Sequence, residues 1–458
     1  MKNYQKFIYL LIALFASVMA WGNEHLMIQE ILGIGMFTYY LLNFIDSIGK
    51  SYNPLDIPIL LALFQCMVMP TVVYRVYNDQ ALVVALKYDM GVTAETYFSF
   101  MFPAILLFIL GIKLPQITIA NYQQKFFVAV NNAKHYLTGK GNMGILLMAI
   151  GVVIGFMQVF IPGELRYVAY LFSKLLYVGI LYVYFSDLKN RNLFLISGIV
   201  FILLQALAMA MFGELVFTLA LGIMLVFLGK KVSSFLKFGI TIIGFVFLIL
   251  VQSIKGDYRA IAWSGQTEQG NSGAFFSLLL DRIQNPQQFF DWGLMFPTVV
   301  RANQGMIIGK VMMHVPANEP FAEGETIFTT LAASFVPRLL WPDKPKSGGH
   351  ENMLRFTGFK IEGYSMNISP MGEAYGNFGV NGGIVFMFFY GLFFSLVIVL
   401  LFNIIRKRPT LILWFPTIFL NSIQMETDIL MCVNSLIKNL LFVWFCYWAA
   451  DRFLRLKL

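Results

Sequence analysis

Apolar runs of about 17 to 24 residues recur along the whole chain, and a helix needs about 20 such residues to cross the hydrocarbon of a bilayer. Inside hydrocarbon no water can satisfy an exposed N–H or C=O, so only helices and closed barrels span it. The runs lack the every-second-residue alternation of a barrel strand, which leaves helices. Only 12% of the 458 residues are charged and 58% are apolar, whereas a soluble domain carries about 25% charged residues. The sequence therefore predicts an all-α polytopic membrane protein. Its predicted spans are 7–22, 26–45, 55–75, 97–113, 143–161, 165–186, 193–211, 213–229, 235–254, 381–404, 410–426 and 429–449. That makes about twelve transmembrane helices. The seventh and eighth join so tightly around Gly213 that a helical hairpin or a re-entrant pair would also fit. The apolar segment 80–90 is too short to cross and reads as an interfacial helix.

The net charge of +9 does not point to nucleic acid, because most basic residues sit in short segments between spans, where they set orientation. With the N-terminus in the cytoplasm, about eighteen Lys and Arg fall on the inner side. The short outer loops hold three, Arg75, Lys87 and Arg166. Both termini are then cytoplasmic. Lys2, Lys6, the apolar run and Val18-Met19-Ala20 could pass for a cleaved signal peptide, but an uncleaved first span is the expectation in a polytopic chain. Cys66, Cys432 and Cys446 all fall within predicted spans, which argues against a disulfide framework or a zinc site. Lys174 and Lys438, inside predicted spans, need partners or an escape route. Snorkelling would serve Lys174, while Lys438 is deeper, with Asn434 one turn away.

One segment stands apart. Residues 1–254 hold nine predicted helices and 381–458 hold three, and between them 255–380 has no clear span. The rule of positive residues inside places this large loop outside the cell's cytoplasmic face. It is rich in Gly and Pro, yet Phe275, Phe276, Phe289, Phe290, Trp292, Phe328 and Phe335 argue for a folded cap rather than a tether. Five arginines lie in it: Arg259, Arg282, Arg301, Arg338 and Arg355. A guanidinium offers a planar fork of donors that suits phosphate oxygens and stays protonated. Pairing with the loop's own acids is the plainer use of the same residues.

Two stretches carry the most information. The first is Pro337-Arg338-Leu339-Leu340-Trp341-Pro342-Asp343-Lys344-Pro345; the second is Gly372-Glu373-Ala374-Tyr375-Gly376-Asn377-Phe378-Gly379, which leads into a span. Together they resemble the Wzy-type polymerases of O-antigen and capsule repeat units. In those proteins a Pro-Arg-x-x-Trp-Pro-x-Lys-Pro element and a Gly-Glu-x-Tyr-x-Asn-Phe-Gly element lie late in the large loop. The resemblance implies a GT-C-like fold in the bacterial inner membrane. It also implies a glycosyltransferase joining undecaprenyl-diphosphate-linked oligosaccharide repeats at the outer face, and the sequence, with no EF-hand or His/Asp metal cluster, predicts metal-independent chemistry. Donor and acceptor would both be polyprenyl-diphosphate-linked oligosaccharides, with membrane lipid and a chain-length regulator as further partners. Neither a cofactor nor a nucleic acid is implied.

The resemblance makes Arg338 the first candidate for stabilising charge on the departing diphosphate, and Lys344 the second. Glu373 becomes a candidate base, although a capping or loop-bracing carboxylate is its plainer reading. His350, in Gly348-Gly349-His350-Glu351, is a rival base because its side chain titrates near neutrality. Tyr375 could stack on sugar, and Asn377 completes the same element. Arg259 and Arg282, each followed eleven positions later by a glycine as in some of those polymerases, are candidate substrate contacts beside Arg355. Lys438 could line a path for the lipid diphosphate. Two other functions share much of this chemistry: a ligase passing finished polysaccharide to another lipid acceptor, and a flippase of lipid-linked oligosaccharide. A flippase would be expected to place its charges along a central cavity, not in a loop.

Overall fold

The computed structural model describes residues 2–21, 26–158, 160–209, 212–264, 270–287, 292–336, 340–341, 344–345, 349–361, 366–454 and 458. Every regular element among them is helical. In the first half these are α1 (Lys2–Trp21), α2 (Ile28–Ser47), α3 (Asp56–Tyr77), α4 (Ala81–Ala85) and α5 (Ala94–Thr118). Next come α6 (Tyr122–Leu137), α7 (Gly141–Met157), α8 (Gly163–Ser173), α9 (Leu175–Phe185), α10 (Arg191–Met209) and α11 (Phe212–Phe227). Then follow α12 (Ser234–Ser264), α13 (Gly270–Gln284), α14 (Trp292–Ala302), α15 (Gln304–His314), α16 (Glu325–Phe335) and α17 (His350–Thr357). Last are α18 (Ser369–Ile405), α19 (Phe415–Phe419) and α20 (Ile429–Ala449). Eight helices among the described residues are long and apolar enough to cross a membrane, or nine if the bent pair α6–α7 counts as one span. Each of the first nine predicted spans coincides with a helix or helix pair, and Phe212–Phe227 is shorter than a full crossing.

α5 and α18 form the spine and run parallel. Phe100 meets Tyr375 at 5.2 Å between ring centroids, and Phe108 meets Tyr390 at 6.1 Å. Ser395 Oγ donates to the carbonyl of Ile112 at 2.9 Å. Two glycines make this closeness possible: a Cβ on Gly111 would come within 2.1 Å of the Phe388 carbonyl, and one on Gly391 within 2.4 Å of that of Phe108. Without water to drive association, such close backbone approach is how apolar helices gain packing energy. α18 bends at Gly379, whose φ of 65° suits a residue with no Cβ.

The predicted span 410–426 is not one helix. Arg408, just past α18, pairs with Asp451 beyond α20, while the backbone N–H of Ile429 donates to Glu373 at the opposite end of α18. The chain therefore travels the length of the bundle between 408 and 428. It does so as a 3-10 turn (Pro409–Trp414), then α19, then turns. Pro409 and Pro416 interrupt a regular ladder. Irregular backbone at such depth is tolerated only inside protein, and Thr410 to Leu420 are all buried. Asn439 Nδ2 donates to the carbonyls of Thr417 at 2.9 Å and Ile418 at 3.2 Å, which supplies partners for this backbone, while Trp414 Nε1 donates to Tyr182 Oη at 3.1 Å.

The loop 255–380 is also more ordered than an apolar count suggests. α12 continues to Ser264, and five further helices follow before α18. α15 is buried over Gln304–Met312 against α3, α17 and α18. Its Lys310 reaches Asp89 at 2.8 Å.

Candidate functional site

The second sequence element is a brace. Glu373 is fully buried; Oε1 accepts from Thr326 Oγ1 at 2.9 Å and Oε2 from the Ile429 N–H at 3.0 Å. One turn on, Asn377 Nδ2 donates to Thr326 Oγ1 at 2.7 Å and to the Glu373 carbonyl at 2.8 Å. Its Oδ1 accepts from the Gly324 N–H at 3.2 Å. Helical spacing of four puts these two side chains on one face, where they clamp the start of α16 and the start of α20 to α18. Tyr375, on another face, is buried between Phe100 and Phe321, its ring 6.0 Å from the latter.

The loop cations divide by partner. Arg355 bridges Glu319 and Glu325, each at 3.0 Å, so the charge-assisted bonds hold the Glu325 carboxyl below its usual range. Arg282 is buried and lies 3.7 Å from Asp257. Lys344 is buried and donates to the Val336 carbonyl at 2.8 Å. His350 Nδ1 lies 3.0 Å from the Ile361 carbonyl at the start of α17. Arg259 lies on α12, and Arg338 lies outside the described residues. The structure thus joins Glu373 and Asn377 directly, and links Arg355 to them through Glu325 and α16, on which Thr326 follows. Tyr375 is their neighbour on α18 but faces elsewhere. It brings no described loop cation onto Glu373.

The sequence reading gave Arg301 no role of its own. It sits on α14, partly buried, and its Nη1 lies 3.5 Å from Gln252 Oε1 on α12. Burial holds its guanidinium below the usual value, against a small opposite pull from Tyr88. No described carboxylate pairs with it. An arginine does not discharge, so a half-buried one whose described hydrogen-bond partner is a neutral amide suits a visiting anion. One turn beyond Gln252, Lys255 lies near Glu426, as does Gln65. Glu426 is exposed, in the turn between α19 and α20. Gln65 lies in a π turn of α3, Phe64–Val68, and such turns are frequent at functional sites. No sequence motif marks Gln65, Gln252, Lys255, Arg301 and Glu426, because they come from four separate segments.

The two lysines inside predicted spans have partners. Lys174, at the joint of α8 and α9, pairs with Glu214 of α11, which also accepts from Tyr170 Oη at 3.1 Å and Tyr177 Oη at 3.2 Å. The ammonium lies 3.9 Å from the Tyr170 ring centre. Lys174 is thus paired inside the protein and does not snorkel to the interface. Lys438 lies 4.5 Å from the Tyr167 ring centre, on the α8 side of α20. Among the described residues no three His, Cys, Asp or Glu side chains are grouped to hold a metal ion.

A family model described as a domain of unknown function, DUF8712, matches residues 108–401, well over half of the chain. The match runs from the middle of α5 to the end of α18 and includes both sequence elements. No curated protein and no solved structure matches the chain.

Proposed function

We propose that this chain, which belongs to the DUF8712 family, is a glycosyltransferase that polymerises polyprenyl-diphosphate-linked oligosaccharide repeats at the outer face of a bacterial inner membrane. The observation that carries the reading is the ordered pair of elements at 337–345 and 372–379, with their resemblance to the Wzy-type polymerases. In this reading the bundle crosses the bilayer about twelve times, the segment 409–428 being the irregular crossing, and the Glu373 end faces outward.

Arg301 supports the same chemistry from geometry. A sugar hydroxyl of the incoming unit attacks the anomeric carbon of the growing chain. The bond from that carbon to the diphosphate oxygen breaks, and the lipid diphosphate leaves with the electron pair. Cations that meet this developing charge lower the barrier. Arg301, with Arg338 from the first element, is assigned that role. The hydroxyl proton needs an acceptor, and Glu373 is poorly placed for it: both oxygens are occupied and no solvent reaches them. Glu373 is assigned to bracing, and the exposed Glu426 is the more accessible carboxylate.

The test is a purified protein given its host's polyprenyl-diphosphate repeat unit alone, with products resolved on a gel. A ladder that is lost in Arg301→Ala and in Arg338→Ala supports the polymerase. Transfer seen only when a lipid A-core acceptor is supplied would replace it with a ligase. Substrate movement across proteoliposomes without any new glycosidic bond would replace it with a flippase.

A further inference from the structure

α16 lies lengthwise along the first half of α20. The two helices start level, because Thr326 and the Ile429 N–H both bind Glu373. α20 shows what α16 covers. From Ile429 to Leu440 no residue of α20 is exposed; beyond them Leu441, Trp444, Phe445 and Trp448 all are. α16 thus takes the place of the outward surface of α20 over its first half.

The outward surface that α16 presents is apolar. Phe328 is 71% exposed and Phe335 69%, with Leu331 and Ala332 between them. The side turned inward holds Thr330, Ala333 and Ser334, all buried, and Ser334 Oγ donates to the Thr330 carbonyl at 2.8 Å. The one charged residue on the helix is Glu325 in its first turn, tied to Arg355. A helix capping a protein in water carries the opposite pattern, with its apolar stripe inward and its polar face out. Small and hydroxylated residues against a neighbour, with large apolar ones facing away, is how helices pack inside lipid.

We propose that α16 is a membrane-dipping helix, whose Phe328–Leu331–Phe335 stripe contacts the acyl chains of the leaflet at the Glu373 end. The Glu325–Arg355–Glu319 bridges then lie at headgroup level. Seven residues at about 1.5 Å each place Phe335 about 10 Å deeper than Phe328. At the deep end the Val336 carbonyl holds the Lys344 ammonium, so Lys344 of the first sequence element meets α16 within the leaflet and not in an aqueous cap. The proposal needs α20 to cross the bilayer, and it stands whether or not the chain is a polymerase.

The experiment places a single added cysteine at Phe328, Leu331 or Phe335, labels it with a bimane fluorophore and reconstitutes the protein in phosphatidylcholine vesicles. Trp444→Cys is the control within the bilayer, and Lys360→Cys, on an exposed stretch, is the control in water. Cys66, Cys432 and Cys446 are buried, and their labelling is measured in the unaltered protein. The expected result is quenching by nitroxides on the lipid acyl chains, as for Trp444→Cys, with the most effective nitroxide depth increasing from Phe328 to Phe335. Iodide in the buffer should quench Lys360→Cys at least about threefold more than Phe335→Cys. Iodide quenching of all three at the Lys360→Cys level would overturn the proposal and return α16 to water. Protection from both iodide and lipid nitroxides would overturn it in favour of a protein covering the stripe.

Discussion

Glu373, near the start of α18, accepts a 3.0 Å hydrogen bond from the backbone N–H of Ile429, the first residue of α20. A carboxylate there satisfies one of the donors that every helix start leaves open. Its other oxygen accepts from Thr326 on α16, so one side chain joins three helices. Glutamine can keep both contacts, since its carbonyl accepts from Ile429 and its NH2 donates to the threonine oxygen. Glu373→Gln is therefore expected to retain most of the polymer ladder and the melting temperature. Glu373→Ala should cost about 2–4 kcal/mol, from open donors plus a cavity, read by thermal unfolding in detergent. A Gln variant that folds and makes no ladder would return Glu373 to the role of base.

Arg301 gives a second prediction. A hydrogen bond to a charged group contributes about 1.5–3 kcal/mol, so Arg301→Ala should lower the polymerisation rate roughly 10- to 150-fold. Arg301→Lys keeps the charge and loses the fork, and should fall between. Stability should not drop, because the variant removes a half-buried cation that has no described carboxylate partner. A normal rate with a lowered melting temperature would mean that Arg301 serves packing.

The Glu325–Arg355 bridge sets a pH dependence. Arg355 lowers the Glu325 carboxyl below its unfolded value, so the bridge's stabilisation is present above the ordinary carboxylate range, about pH 4.3. It is lost as pH falls through the lower folded value. Glu325 is 65% exposed, so the effect is small and weakened by salt. Wild type should melt slightly above Glu325→Gln at pH 7, and the gap should close only on acidification below about pH 4.

Lys174 and Glu214 give the largest expected destabilisation. Removing one member of a buried pair leaves the other charge unpaired, at a cost of about 3–5 kcal/mol. Lys174→Met alone should fall in that range, and Lys174→Met combined with Glu214→Leu should recover much of it. A double-mutant cycle of melting in detergent reads the coupling. Additive losses would place the pair too far apart, or too wet, to interact.

Membrane class and the position of the long apolar helices are local properties, and the sequence alone makes them legible. A run such as Phe245–Val251 on α12 or Val385–Leu400 on α18 must be helical wherever hydrocarbon surrounds it, because no other backbone partner is within reach. The second element was legible as a motif, since Glu373 and Asn377 are one turn apart on one helix. Three things needed the tertiary structure. The crossing at 409–428 looks like any apolar run, and only its burial between α9 and α20 permits an irregular backbone there. Arg301 reads as one of five loop arginines until the fold shows Gln252, and no described carboxylate, beside it. The stripe on α16 reads as a cap's core, because which side of a helix faces its neighbour is set by contacts with α20 and Glu373, about 50 to 100 residues away in sequence.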